Sequence, residues 1–504
     1  MSETLNRREF LFYSGAAAAG ITLGEAGRRL LAGADARAAA WRGRGVERWA
    51  TSVCRECPAA CGIRVRLVDD VPIKLEGNPK CPIARGRLCA KGQAAIESYF
   101  DPDRLTGPAR RIGTRGENRW EPISWDEAIG LFASRWPRGP IAPGAQPLAL
   151  SGSERGPLAE AWADVWHAAG AQTACTAGAT AGRLRPALTG LTGVQRDPLF
   201  DVAHATYVLS FGAPIVEDWL SPLWAQRSYG QFRRAPARAR GRLVQIEARR
   251  SLTARKADEW IPLPSEQQVA LAYGLASVIV REHRSDAAFL DEFAGSRAAF
   301  EAEVVAKFSP DAVAAATGVP VVSVLRLARE LAASQRPLIV VAADADRVLQ
   351  DAVFALNALV GAFDRTGGIV ASPAGSGDDF EDAEQAIRDV VTGRRRPQAL
   401  VFRDASPLRG MNAPLMAAAA SEAVPFVVSL SPYLDEAASL ADLLLPTHTA
   451  LESWHFVTPA AAVQAELAAV APPAAGARLN TQDLAGVLKR IAAVTGNEAA
   501  AAAW

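Results

Sequence analysis

The chain has 504 residues, room for roughly three domains at about 150 residues each. Hydrophobic residues make up 49% and charged residues 22%, which excludes a disordered polymer. With 55 basic against 54 acidic residues the net charge is +1, so no bulk charge supports a nucleic-acid partner.

In chain order, the N-terminus comes first. It places Arg7-Arg8 before Phe10-Leu11, then a weakly apolar Gly/Ala-rich stretch, then Ala38-Ala39-Ala40. A charged start, a short apolar middle and small residues at the end describe an export signal over residues 1–40. The arginine pair makes it similar to a twin-arginine signal, a route for proteins folded around a cofactor before export. The expected location is therefore the periplasm. Beyond this leader no uncharged apolar run reaches 18 residues, so the mature chain is not expected to span a membrane.

Five of the six cysteines follow within residues 54–89. Cys54, Cys57, Cys61 and Cys89 give the spacing C-x2-C-x3-C-x27-C. Four thiolates suit a [4Fe–4S] cube, one sulfur per iron. Neighbouring prolines and glycines favour turns that let the sulfurs converge. A structural zinc site and paired disulfides are the competing readings. Cys81 competes with Cys89 for the fourth position. The Gly-rich, Lys-flanked setting Gly86-Arg87-Leu88-Cys89-Ala90-Lys91-Gly92 favours Cys89.

The rest alternates apolar runs with helical patterns. Strand candidates are 147–151, 206–212, 243–247, 337–342, 399–402 and 426–430, with helices over 266–282 and 321–334. Continuous apolar strands between helices predict an α/β class with doubly wound parallel sheets. Ligands in such sheets bind at the carboxyl ends of strands, which makes Gly212, Glu247 and Arg249 cofactor-binding candidates. No internal repeat or low-complexity linker appears. The Pro/Ala segment 471–474 and the tail from residue 498 are expected to be loops or frayed ends.

Cys54 to Cys61, Gly77-Asn78-Pro79, Gly86 to Gly92 and Trp120-Glu121-Pro122-Ile123-Ser124-Trp125-Asp126-Glu127-Ala128 together resemble the molybdopterin oxidoreductase family. The string from Leu445 to Trp454, which holds His448, is similar to its polysulfide-reductase branch. The resemblance implies a [4Fe–4S] domain over 48–105, a split α/β domain over 106–170 and 336–475, an inserted α/β domain over 171–335, and a C-terminal helix and tail over 476–504. It implies a Mo or W bis-guanine-dinucleotide pterin held across the α/β domains, and it makes Lys91 a contact between cluster and pterin. Cys175 comes 86 residues after Cys89 and precedes Ala181-Gly182, which matches the family's position for the thiolate that ligates the metal. Cys175 is thereby the candidate catalytic residue. Implied partners are an iron–sulfur electron-transfer subunit, a membrane anchor subunit and a small-molecule or quinone-linked redox substrate.

The chain departs from the family at Pro214, at Pro264-Ser265-Glu266-Gln267, at Ser406-Pro407 and at Glu436-Ala437-Ala438, positions that usually help hold the dinucleotide. It also ends before the family's usual C-terminal barrel. Two functions are therefore open: a periplasmic Mo/W oxidoreductase, or a molybdenum-free electron-relay or scaffold subunit. Large subunits of alternative complex III are of the second kind.

Overall fold

The structure is a computed structural model that describes residues 45–152, 156–175, 181–234, 240–287, 289–290, 297–372, 381–403, 424–459 and 467–497. The leader, Ser406-Pro407 and the tail from residue 498 lie outside them.

The cysteine-rich unit opens with a three-stranded antiparallel sheet of Glu47–Val53, Gly62–Val68 and Val71–Gly77. Strict alternation in Gly62–Val68 turns Ile63, Val65 and Leu67 inward. The second and third strands join through Asp69 and Asp70, both at positive φ, which the tight hairpin turn demands and aspartate tolerates. The first two strands are joined by the Cys54–Cys61 loop, closed by the Cys54 N–H on the Cys61 carbonyl at 2.8 Å.

An eight-stranded sheet follows. Its order is Glu381–Asp382, Gln172–Cys175, Leu148–Ser151, Ala399–Phe402, Phe426–Ser429, Leu443–Leu444, Ala109–Arg111 and Trp120–Pro122. The first six run parallel; Ala109–Arg111 pairs antiparallel with Leu443–Leu444, and Trp120–Pro122 pairs antiparallel with Ala109–Arg111. Its central strands are buried on both faces, which is why they read as unbroken apolar runs. Alternate residues feed two cores. Ala399, Val401, Phe426 and Val428 join Phe132, Trp162 and Trp166, while Leu400, Phe402 and Val427 join Ala386 and Ile387. Helix Leu484–Val494 completes the first core through Val487, Leu488 and Ile491.

The inserted unit carries a parallel sheet of Glu259–Ile261, Arg242–Ile246, Tyr207–Phe211 and Pro337–Val341. Helices Ser265–Arg281, Val321–Ala333 and Arg347–Leu359 cover it. The expected strands and helices are therefore present, in an α/β architecture with parallel sheets. No single helix among the described residues is long and apolar enough to cross a membrane, though the bent pair Pro310–Thr317 and Val321–Ala333 passes that test together.

Two boundaries differ from expectation. Strand Pro337–Val341 pairs with Tyr207–Phe211, so the insertion continues past residue 336. Strand Gln172–Cys175 pairs with Leu148–Ser151, so the insertion begins after residue 175, not at 171. Sheet pairing decides both, and no local signal in the sequence marks it. The segment 471–474 leaves strand Ala469–Ala471 as a loop through Pro472 and Pro473, and within that loop Ala474 packs in the core of the cysteine-rich unit.

A buried ion pair fastens that unit to the large sheet. Arg104 Nη2 donates to Glu452 Oε2 at 2.6 Å, and both side chains are almost wholly inaccessible. Glu452 also accepts from the Thr449 hydroxyl and N–H and from the Arg478 N–H. Burial alone would push its carboxyl up, but these donors and the guanidinium hold it below the usual carboxylate range. Removing one partner leaves an uncompensated buried charge, so Glu452→Ala should cost about 3–5 kcal/mol in urea unfolding, and the double variant R104M/E452L distinctly less. Because the folded-state value is depressed, the pair's stabilisation is present above about pH 4.5 and fades as pH falls through the folded value. The E452A penalty should shrink correspondingly in acid, as read from urea midpoints against pH.

Candidate functional site

The cysteine loop presents Cys54 and Cys61 buried, with Cys57, Cys81 and Cys89 half-buried around the same small core. None of the six cysteines forms a disulfide, so that competing reading is not realised. Burial pushes the Cys54 thiol up to about 12, with Cys57 and Cys89 close enough to add to the effect. Cys57 and Cys61 are raised by burial as well, and Cys61 feels all four of the others. Such a nest of thiols resists ionisation by itself and becomes a thiolate donor set only when cations compensate it. A [4Fe–4S] cluster fits that donor set, with one thiolate per iron. Gly92 at the helix start Ala90–Ala94 packs beside Cys54, and a Cβ there would press on the Leu88 side chain at 2.5 Å. Cys81 differs from the other four. Its sulfur accepts the N–H groups of Gly62 at 3.3 Å and Ala84 at 3.5 Å, which folds the Asn78–Ala84 turn around it.

Lys91 donates to Asp218 Oδ2 at 2.9 Å, and that carboxylate holds the ammonium above the usual lysine range. Cys57 and Cys89 lie within its electrostatic reach. Asp218 belongs to the loop after Gly212, at the carboxyl end of Tyr207–Phe211. Lys91 thus joins the cysteine nest to a strand-end loop of the inserted unit.

Gly212 and Glu247 stand at the carboxyl ends of neighbouring parallel strands. The Gly212 N–H bonds the Ile246 carbonyl at 2.9 Å, and Gly212 adopts the positive φ that glycine permits. Glu247 is turned back on its own chain, accepting from the Ser251 N–H at 3.1 Å and from Gln245 Nε2 at 3.2 Å. Arg249 is exposed. Cys175 ends strand Gln172–Cys175, half-buried, in register with Ser151 on the neighbouring strand.

The principal cavity lies elsewhere, between the cysteine loop and the strand ends of the large sheet. It encloses about 440 Å³, and Arg55, Glu56, Cys57 and Pro58 form one wall. Gly152, Arg403 and Tyr433 face them, with the His448–His455 loop and Asp483 closing the sides. Gly152 directly follows strand Leu148–Ser151, which puts Cys175 one strand away at the same edge of the sheet. The first residues of helices Pro157–Ala168 and Leu484–Val494 also line the cavity, and helix N-termini favour anions. Trp454 and Phe456 stack at 5.9 Å with their planes 17° apart and offer a flat apolar wall. His448 Nδ1 lies 2.6 Å from Thr481 Oγ1, and burial holds its imidazole below the usual histidine range. Two arginines, the carboxylates Glu56 and Asp483 and an aromatic stack beside the thiols give a polar, ring-covering lining that suits a heteroaromatic ring system such as a pterin.

Lys91, Gly212, Glu247, Arg249 and Cys175 do not line this cavity, and the sequence reading missed most of the residues that do. Arg403 was within its reach, because it directly follows strand Ala399–Phe402, and a strand's carboxyl end is where parallel sheets bind ligands.

Comparison with known proteins places the chain in one family. The family model described as molybdopterin oxidoreductase Fe4S4 domain matches residues 47–99, and the molybdopterin oxidoreductase model matches residues 104–482. Together they imply a [4Fe–4S] cluster and a Mo/W-pterin cofactor. The chain is 27% identical over 471 residues to the menaquinone reductase, molybdopterin-binding-like subunit of Nitratidesulfovibrio vulgaris, covering 89% of this chain and 66% of that protein. It is 28% identical over 328 residues to the thiosulfate reductase molybdopterin-containing subunit PhsA of Salmonella typhimurium, covering 63% of this chain and 42% of that one. The chain thus spans less than two thirds of either relative's length. Among solved structures, acetylene hydratase from Pelobacter acetylenicus superposes with a TM-score of 0.73 at 18% identity, over 90% of this chain and 70% of its own, a likeness of fold.

Replacing Cys54, Cys57, Cys61 or Cys89 by alanine should take bound iron from about four atoms per chain to well below that and bleach the broad visible absorption. Cys81→Ala should keep both. Iron and sulfide assays on anaerobically purified protein check this.

Proposed function

The chain belongs to the molybdopterin oxidoreductase family, and on that footing we propose that it is the large subunit of a periplasmic oxidoreductase exported by the twin-arginine route. Its Mo- or W-pterin would exchange electrons with the [4Fe–4S] cluster, and the substrate would be a small molecule or a quinone-linked donor. The observation that carries this reading is the cavity's shared wall: Arg55, Glu56 and Cys57 belong at once to the cysteine loop and to the lining of the cavity. A group bound there sits next to the cluster. When bound, the pterin-held metal supplies the two-electron chemistry.

The chain's own residues bind and orient. Arg55 and Arg403 would offer cations to a pyrophosphate, and Trp454 with Phe456 would cover a ring face. Thr481 holds the ring of His448 at the cavity edge. Lys91, tied to Asp218, holds the cluster unit against the loop at Gly212. Cys175 is the proposed protein ligand of the metal. An iron–sulfur subunit and a membrane anchor are the proposed partners.

A second reading has its own support. The relative from Nitratidesulfovibrio vulgaris, similar over 89% of this chain, is described only as molybdopterin-binding-like. Here Pro214 stands where the family usually has asparagine, and Glu247 is satisfied by its own turn. On that reading the chain keeps the cluster and relays electrons without a pterin.

Elemental analysis of protein matured in the cytoplasm separates the two. About one Mo or W beside about four Fe per chain is the outcome expected of the enzyme, and four Fe with neither metal identifies the relay. Cys175→Ala should abolish turnover in the first case while leaving iron content unchanged. Lysine at both Arg7 and Arg8 should leave the protein in the cytoplasm, as read by cell fractionation.

A further inference from the structure

The loop from Cys81 to Cys89 carries Arg85 and Arg87, both exposed. Helix Pro222–Phe232 of the inserted unit lies against this loop, burying Leu223 and packing Trp224 in the core of the cysteine-rich unit. Arg227 reaches from the helix to the Pro82 carbonyl at 3.3 Å and lies over the Trp224 ring. Arg234 follows the helix end and is exposed. Arg227 feels the charges of the other three. Arg227 is held below the usual arginine range first by partial burial, then by Arg85, Arg87 and Arg234.

None of the four forms an ion pair with a described residue. Other surface arginines do so, as in Arg48–Asp70, Arg110–Glu121 and Arg329–Glu282. The nearby Asp218 is already committed to Lys91. Like charges gathered without counter-ions repel, and the arrangement becomes favourable when an anionic surface meets it. The location narrows the choice of partner. Arg85 and Arg87 stand between Cys81 and Cys89, and Cys57, Cys81 and Cys89 are the thiols that keep some solvent exposure. Of the proposed cluster ligands, Cys89 is the half-exposed one at the end of this loop, so a cluster held by it would lie close to this surface.

We propose that Arg85, Arg87, Arg227 and Arg234 form the docking surface for an acidic electron-carrier protein that exchanges electrons with the cluster beneath them. The inference rests on the cluster reading above and adds to it the site and charge of the carrier. Each encounter moves one electron from the reduced cluster to the carrier's oxidised metal centre. The cluster is oxidised by one electron and the carrier reduced by one, and no bond or proton is transferred.

The test uses one haem protein in two charge states. Protein carrying its cluster is reduced with dithionite, freed of excess reductant, and mixed anaerobically with native cytochrome c, which is basic, or with succinylated cytochrome c, which is acidic. Haem reduction is followed by stopped flow. At low ionic strength the succinylated form should react at least about 10-fold faster, and the advantage should vanish in high salt. R87E/R234E should reverse the preference, and R87Q/R234Q should flatten it. Arg85 is left in place because its φ of +44° makes substitution there ambiguous. An iron-loaded wild-type protein that treats the two cytochromes alike, or prefers the basic one, overturns the docking surface. A preparation that binds no iron overturns the cluster reading, and this inference with it.

Discussion

The Arg104–Glu452 pair governs the rest of the site. It is enclosed on all sides, and it joins the end of the cysteine-rich unit to the short helical turn after the strand Leu443–Leu444. Neither charge has solvent to fall back on, so the two segments are held at one distance and one angle. The Glu452 carboxylate also closes the capping box with Thr449 and takes the Arg478 N–H, so three separate stretches of chain converge on two oxygens. The cavity wall formed by residues 55–58 and the opposite wall around Tyr433 and His448 keep their spacing through that joint.

Around this joint the chemistry divides by environment. The thiol nest is apolar and buried, which disfavours free thiolates and favours a compensated inorganic cluster. A few residues away the cavity is polar and aromatic, lined by Arg55 and Arg403 alongside Glu56 and Asp483 and by the Trp454–Phe456 stack, which suits a polar heteroaromatic ring. Cys57 belongs to both. The fold therefore places a soft-metal site and a polar, aromatic site back to back, with the polypeptide between them reduced to one short loop.

Much of this was legible from the sequence, and the reason lies in locality. Cys54, Cys57 and Cys61 are spaced by a loop that any reader can see, and strands such as Ala399–Phe402 announce themselves as short apolar runs. Lys91 was found because it stands beside Cys89. What stayed hidden depends on pairing between distant segments. Strand Pro337–Val341 looks like the start of a new domain, yet its neighbour is Tyr207–Phe211. Ala474 looks like a loop residue, yet Leu451 and the cysteine-rich core bury it. The cavity is harder still, since Arg55, Arg403, Tyr433, His448 and Asp483 come from five separate stretches. Glu452 could be read as part of a family string, but its partner Arg104 lies 348 positions away and nothing near either residue announces the other.

The core of the cysteine-rich unit also has a consequence for biosynthesis. Val53 and Ala60 pack against Val457 and Ala471, and Leu75 and Ile83 share their core with Leu451, Ala474 and Ala475. The earliest part of the described chain is thus finished by some of the last. At a ribosomal pace of about 5–20 residues per second, the cysteine loop waits roughly 20 to 75 seconds for the segments that cover it. During that interval its thiols are open to oxidation and to stray metals.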